Sequence, residues 1–268
     1  GTSNYILSSM EKENKSFKEV LYDAKKKGYA ESNPTADLNG DDVSAKLKIL
    51  SSLCFNSFLN NNIHVEGIKE IDKDDINYAN KLGYKIKLLG YAELIGNYIY
   101  QRVHPTLIRN SSYVASIDGV LNAVIIEGVP VGQSIIQGEG AGPAATTSAL
   151  ISDISSILRG NIKFPFSISE KERKKLKFKK ISERFFSAYL RFEVKDKSGV
   201  LSNITQIFSK NNVSIKRLVQ NPNKNKKSSS IIIITHLSKD KSLNKIINII
   251  NKKSYIKKRS KLIRINDN

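Results

Sequence analysis

An α+β fold in two parts is what this sequence predicts, and three observations predict it. Apolar residues recur at helical spacing through the opening segments. From about 85 to 137, β-branched and aromatic runs are punctuated by Gly, Pro and Asn, the mark of a largely antiparallel sheet. The last part reads strand, helix, strand, strand, helix, strand, the order of a ferredoxin-like split βαβ unit. The expected architecture is a mixed, largely antiparallel sheet with helices, followed by a βαββαβ domain.

Taken in order, residues 4–13 and 16–27 read as two helices. Ser16 followed by Glu19 makes a capping box, and Phe17, Val20, Leu21 and Ala24 form an apolar stripe. Gly28 stands where a helix C′ glycine belongs. The next stretch reads as a loop, since Asn33-Pro34 and Asn39-Gly40 are turn signals. A helix begins near Asp41, with Val43, Leu47, Leu50 and Cys54 on one side, so Cys54 is expected in the core. The strand-rich region then gives way to a helix over Ala144–Leu158. "SEKERKKLKFKK" at 169–180 reads as a flexible basic linker. The second domain runs through "FFSAYLRFEV", "DKSGVLSNITQIFSKNN", "VSIKRLVQNPN", "SSSIIIITHLS", "DKSLNKIINIINKKS" and "KLIRIND", with "NPNKNKKSSS" a polar hairpin loop. The expected domains are residues 1–165, a linker at 166–182, and residues 183–268.

Composition narrows the function classes. With 268 residues, 40% hydrophobic and 26% charged, the chain suits a globular protein of two ordinary domains. No apolar run approaches the roughly 18 residues of a spanning helix, and "GTSNYILSSM" lacks a signal-type core. A cytoplasmic protein without a membrane partner is expected. Cys54, the single cysteine, excludes an intrachain disulfide framework and a multi-cysteine zinc site. The net charge of +19 comes with many Asn and Ile, and its lysines are scattered rather than interleaved with aromatics. It reads as compositional bias, with no nucleic-acid partner expected. Because the chain opens on Gly1 inside a helical pattern, a piece of a longer polypeptide is expected.

One stretch runs against the basic background. "GYAESNPTADLNGDDVSAK", from Gly28 to Lys46, holds Glu31, Asp37, Asp41 and Asp42 and ends on Lys46. Asp42 and Lys46 are i and i+4 on the predicted helix and can point to one side. That pair reads equally as a solvated helix pair worth about 0.2–0.5 kcal/mol. Asp37 reads as a turn residue and Asp41 as an acid complementing the helix dipole.

"GTSNYIL", "GYAESNPTADLNGDDVSAK", "VHPTLI" and "GEGAGPAATTSALISD", in that order, closely resemble the catalytic domain of homoserine dehydrogenase. The C-terminal unit with "DKSGVLSNIT" resembles an ACT domain. The resemblance implies NAD(P)-dependent hydride transfer between L-aspartate 4-semialdehyde and L-homoserine. The substrate is a zwitterion with a reacting oxygen, so its site needs anions for the ammonium and a proton-carrying group at the oxygen. By resemblance Glu31, Asp37 and Asp42 hold the substrate, Lys46 gives the proton, and Gly1 and Thr2 lie beside the substrate. Gly28, Gly142 and Thr146 lie towards the cofactor, NADP or NAD. The family's N-terminal Rossmann domain has no counterpart here. No G-x-G-x-x-G follows a strand, and "GEGAG" lacks the spacing and the later ribose-binding acid. Little activity of this chain alone is therefore expected, and the choice between NAD and NADP stays open.

In "VHPTL", His104 reads as structural, and His64 and His236 lack partner patterns. No metal cluster is expected; by resemblance the family's monovalent-cation loop would lie upstream of Gly1. In the ACT-like unit, Asp196, Gly199 and Asn203 are expected to bind an amino-acid effector, threonine by resemblance, with a plain capped turn as the competing reading. The resemblance also implies a homo-oligomer, a dimer or tetramer. A non-catalytic amino-acid-sensing or assembly module is the alternative from another class.

Overall fold

A computed structural model describes residues 1–60, 63–161, 169–223 and 227–266. Residues 166–168 of the expected linker and 224–226 of the expected polar loop lie outside the described residues. The chain forms two compact units. The first comprises Gly1–His104 and Asn110–Phe178, the second Pro105–Arg109 and Lys179–Asn268.

In the first unit, α1 (Thr2–Glu13) is buried along most of its length through Tyr5, Ile6, Leu7 and Met10. Against it packs α2 (Phe17–Lys26), started by the Ser16–Glu19 capping box and buried through Val20 and Ala24. Gly28 ends α2 in the left-handed region, at φ 76°. Tyr29 N donates to Ala24 O and Gly28 N to Lys25 O, the two bonds of a Schellman motif. The stretch read as a loop contains a short helix, α3 (Thr35–Asn39). Asn33 Oδ1 accepts from Thr35 N and Oγ1, and buried Leu38 anchors it. Tertiary burial of one leucine here outweighs the turn signals on either side.

Gly40 separates α3 from α4 (Asp41–Phe55). Leu47, Ser51 and Ser52 are buried on α4, whereas Cys54 is exposed, contrary to the expectation that it is core. The reason is where the neighbouring strand crosses: a Cβ on Gly90 would meet Val43 and Leu47, leaving the last turn of α4 beyond the crossing. Next come β1 (His64–Val65), α5 (Lys73–Lys81) with an Asp72–Asp75 capping box, and the β2 (Tyr84–Ile95) and β3 (Tyr98–Arg109) pair. Strand β1 runs parallel to β3.

After α6 (Tyr113–Ser116), β4 (Leu121–Gly128) and β5 (Gly132–Glu139) pair, among the described residues, only with each other, in register from Leu121↔Glu139 to Gly128↔Gly132. The strand-rich region thus yields a separate two-stranded ribbon as well as sheet strands. Helix α7 (Pro143–Leu158) follows the ribbon, and none of its residues is buried. The basic segment is hydrogen-bonded to this unit where a flexible linker is expected. Lys174 N donates to Asn56 O, Ser57 Oγ to Lys174 O, and β6 (Lys177–Phe178) runs parallel to Tyr98 and Ile99.

The second unit shows the expected order: β7 (Phe185–Lys195), α8 (Val200–Lys210), β8 (Ile215–Asn223), β9 (Ser228–Thr235), a short β10 (Ser238–Lys239), α9 (Asp240–Asn251) and β11 (Lys261–Asn266). Its sheet runs β11-β7-β9-β8, each neighbour antiparallel. Residues 106–108 lie parallel to β11 at its other edge. Alternate β7 residues Phe186, Ala188, Leu190, Phe192 and Val194 form the core with both helices, the period-2 face of a half-buried strand.

Candidate functional site

The first turn of α1 organises the candidate site. Thr2 Oγ1 donates to Tyr29 O at 3.0 Å, and Ser3 Oγ donates to Asp37 O at 2.9 Å. One helix end therefore holds both the loop carrying Glu31 and the short helix carrying Asp37. The Tyr5 and Tyr29 rings meet at a 52° tilt with centroids 4.8 Å apart, a further contact on the same loop. The charges of Lys46, Asp42 and Asp37 all act at the Gly1 nitrogen. Gly1 thus lies in the field of all three charged residues.

On α4, Lys46 Nζ donates to Asp42 Oδ2 at 2.7 Å. The side chains are 57% and 39% exposed, so the pair sits on an open face rather than in a closed pocket. That face continues into the exposed apolar residues Ile49 and Leu53. Glu31 is exposed and Asp37 half-buried. The structure gathers Gly1, Thr2, Asp37, Asp42 and Lys46 around the start of α1 and leaves them open on one side.

The glycine turn before α7 joins the same region through Asn122. Gly1 N donates to Asn122 Oδ1 at 2.7 Å, and a Cβ on Gly140 would overlap the Asn122 amide. Gly142 is the N-cap of α7 at φ 112° and ψ 157°, a conformation essentially restricted to glycine. Nothing lies within 4 Å of a Cβ on either Gly28 or Gly142, so each borders open space. Thr146, exposed, donates its N–H to Gly142 O at 3.0 Å.

Sequence reasoning missed the residues that hold this arrangement. Asn4 Nδ2 donates to the carbonyls of Ile117, Gly119 and Leu121 at 3.0, 3.2 and 3.1 Å, tying down the loop that leads into β4. Lys87, only 4% exposed, donates to Asn4 Oδ1 at 3.0 Å, to Asp118 Oδ1 at 2.8 Å, and to Ile117 O. Burial draws the Lys87 ammonium below its ordinary value, and Asp118 opposes the shift. Burial would raise Asp118, but bonds from Lys87 and Lys12 outweigh it and hold the carboxyl at about 2. The available signal was the charge of Lys87 between Ile86 and Leu88, where a strand turns one residue inward.

His104 is buried, and its Nε2 accepts from Arg102 Nε at 3.0 Å, which places the imidazole proton on Nδ1.

In the second unit a cavity of about 270 Å³ opens at the β7–α8 turn, lined by Val194–Leu201, Gln220 and Ile231. Asp196 and Gly199 line it. Asn203 does not: its Nδ2 donates back to Gly199 O at 2.9 Å on the exposed side of α8. Gln220, brought in from β8, has no local sequence signal that would have found it.

Fold and site together define a two-unit α+β protein that pairs a carboxylate–lysine site with a ferredoxin-like unit. The homoserine dehydrogenase family model matches residues 1–155 and the ACT domain model residues 188–254. The chain belongs to the homoserine dehydrogenase family. The Helicobacter pylori homoserine dehydrogenase is 40% identical over 244 residues, covering 91% of this chain and 58% of that protein. The Neisseria gonorrhoeae homoserine dehydrogenase is 37% identical over 272 residues, covering 99% of this chain and 62% of that one. Among solved structures, a homoserine dehydrogenase from Thiobacillus denitrificans is similar with a TM-score of 0.90 and 35% identity, over 100% of this chain and 62% of the other. The chain spans less than two thirds of the length of these relatives. No helix among the described residues is long and apolar enough to cross a membrane.

Proposed function

We propose that this chain is the substrate-binding and regulatory part of a homoserine dehydrogenase, working in the cytoplasm together with a nucleotide-binding domain. Glu31, Asp37 and Asp42 hold the substrate ammonium. Lys46 gives a proton to the carbonyl oxygen as L-aspartate 4-semialdehyde becomes L-homoserine and takes it back in the reverse direction. NAD(P), when bound, accepts or returns the hydride. This chain's contribution to it is the open space at Gly28 and Gly142 and the N–H groups of the first turn of α7, which suit the ring end of the cofactor. Thr146 lies one turn further on.

The observation that supports this reading is the Asp42–Lys46 pair on an open face of α4, beside the α1 turn that holds Asp37 through Ser3. A closed substrate site would need that face covered. The exposed apolar residues of α7, Leu150, Ile151, Ile154 and Ile157, suit cover by the nucleotide-binding domain. Those of the β4–β5 ribbon suit a second subunit, as the homo-oligomer of the family resemblance implies. An amino acid bound at the β7–α8 cavity regulates the enzyme, and threonine is the effector the resemblance suggests.

The test is turnover of homoserine with NADP or NAD, for this chain with and without an added nucleotide-binding domain. Activity is expected only in the combination. There, Lys46→Ala is expected to abolish turnover while leaving substrate binding largely intact. Near-normal turnover of Lys46→Ala would refute the proton-donor role.

A further inference from the structure

One side chain, Asn122, joins the two glycine-bearing turns of the site. It is the second residue of β4 and stands directly opposite Gly138 on β5. Gly138 offers no side chain to meet it, and the Asn122 amide reaches along to Gly140, where an added Cβ would overlap it. Gly140 is not in the left-handed region, so its backbone does not call for glycine. The space taken by the Asn122 amide does.

The same amide meets the start of α1. Its Oδ1 accepts from Gly1 N at 2.7 Å, and its Nδ2 donates to Val120 O at 3.2 Å. Oxygen and nitrogen are both engaged, which fixes the orientation of the amide plane. The chain that carries it is held in turn, because Asn4 Nδ2 donates to the carbonyls of Gly119 and Leu121, on either side of Val120. Asn122 thus spans the gap between two turns. One is the Gly1–Thr2 turn, where Thr2 Oγ1 holds Tyr29 O on the Glu31 loop. The other is the Gly140–Gly142 turn that opens α7.

We propose that Asn122 is a positioning residue of the dehydrogenase reaction, setting the separation between the substrate end of the site and the end that receives the cofactor ring. The proposal rests on the functional reading above and adds a residue to it. Asn122 acts through Gly1 and Gly140 and not by touching the reacting atoms. Hydride transfer needs the two reacting carbons close and aligned, and a misplacement of about 1 Å can cost about 10²-fold in rate. A rigid amide wedged between the two turns resists that misplacement.

Two measurements test it. In backbone amide NMR spectra of the full chain, Gly140→Ala is expected to shift the Thr2 and Ser3 resonances, because the added Cβ displaces the Asn122 amide and with it the bond to Gly1. In an Asn122→Ala background, where that amide is gone, the same change is expected to leave Thr2 and Ser3 unshifted, the non-additivity of residues that share a partner. Equal shifts in both backgrounds, or no shift in the native one, would overturn the tie. In the chain combined with a nucleotide-binding domain, Asn122→Ala is expected to lower kcat for homoserine about tenfold to hundredfold with KM within about twofold of native, the pattern of an interaction realised at the transition state. Homoserine carrying deuterium on its reacting carbon is expected to show a larger isotope effect in the variant, since the hydride step becomes the slow one. A loss of stability alone does not raise that isotope effect. If Asn122→Ala does not fold, Gly140→Ala takes its place in the kinetic measurements, and its shift of Thr2 and Ser3 in the native chain decides the tie. An unchanged kcat, or a lower kcat with an unchanged isotope effect, would refute the positioning role and leave the functional reading standing. Absence of turnover in the native combination would sink that reading and the positioning role built on it.

Discussion

Replacing Asn4 by alanine is expected to cost the first unit more stability than replacing Lys87 by methionine, although only the second change removes a charge. The two protons of the Asn4 amide are shared among the carbonyls of Ile117, Gly119 and Leu121, and its Oδ1 accepts from Lys87. Counted as two donated bonds and one accepted, at about 1 kcal/mol each, their loss costs about 3 kcal/mol. Gly119 O and Leu121 O lose this donor outright, and Ile117 O keeps only Lys87. Methionine at position 87 keeps the buried stem filled and relieves the desolvation that already depresses the ammonium. Asp118 retains Lys12 at 3.1 Å and Lys85 at 3.4 Å, and Ile117 O retains Asn4. The loss then falls to about 1–2 kcal/mol, below the roughly 3–5 kcal/mol of a buried pair whose remaining partner is stranded. Urea melts followed by far-UV circular dichroism, compared at constant m-value, measure both. A Lys87→Met loss equal to or larger than that of Asn4→Ala would refute the reasoning, because it would make the ion pair the dominant tie.

Two further outcomes follow from the buried charges. With its carboxyl at about 2 against an ordinary 3.8, Asp118 is depressed on folding. Its contribution of about 2 kcal/mol is complete above the unfolded pKa and is lost as pH falls from about 4 through about 2. Melts at pH 5 and pH 2.5 should differ less in Asp118→Asn than in the native chain, and an unchanged difference would show that Asp118 is not the acid-sensitive group. In the second unit, Arg264 Nε donates to Asp240 Oδ1 at 2.7 Å, with the side chains 1% and 3% exposed. Asp240→Asn should lower stability by about 3–5 kcal/mol, and a thermal-melt loss under about 1 kcal/mol would contradict a tightly coupled pair.

Local chemistry made much of the molecule legible from sequence. The capping box at Ser16 and Glu19, the C′ glycine Gly28, and the alternation of Phe186 to Val194 each depend on neighbours a few residues away. Short-range hydrogen bonds and periodicity therefore specify them. The βαββαβ order was readable for the same reason. The Asp42–Lys46 juxtaposition followed from helix geometry alone.

What only the tertiary structure decided depends on residues far apart in the chain. Leu38 finds a buried place and turns a stretch with turn signals into α3. Strand β2 crosses α4 at Val43 and Leu47, so Cys54, on a face that looked apolar, ends up outside. Asn4 and Lys87 carry little signal in sequence, yet they become the tie between α1 and the 117–121 loop because burial denies their polar atoms water and leaves each other, Asp118 and the backbone as partners. Sequence by itself determined which residues carry charge and which elements they ride on. The fold decided which of those charges meet, which face open solvent, and which are buried deeply enough to hold the site in place.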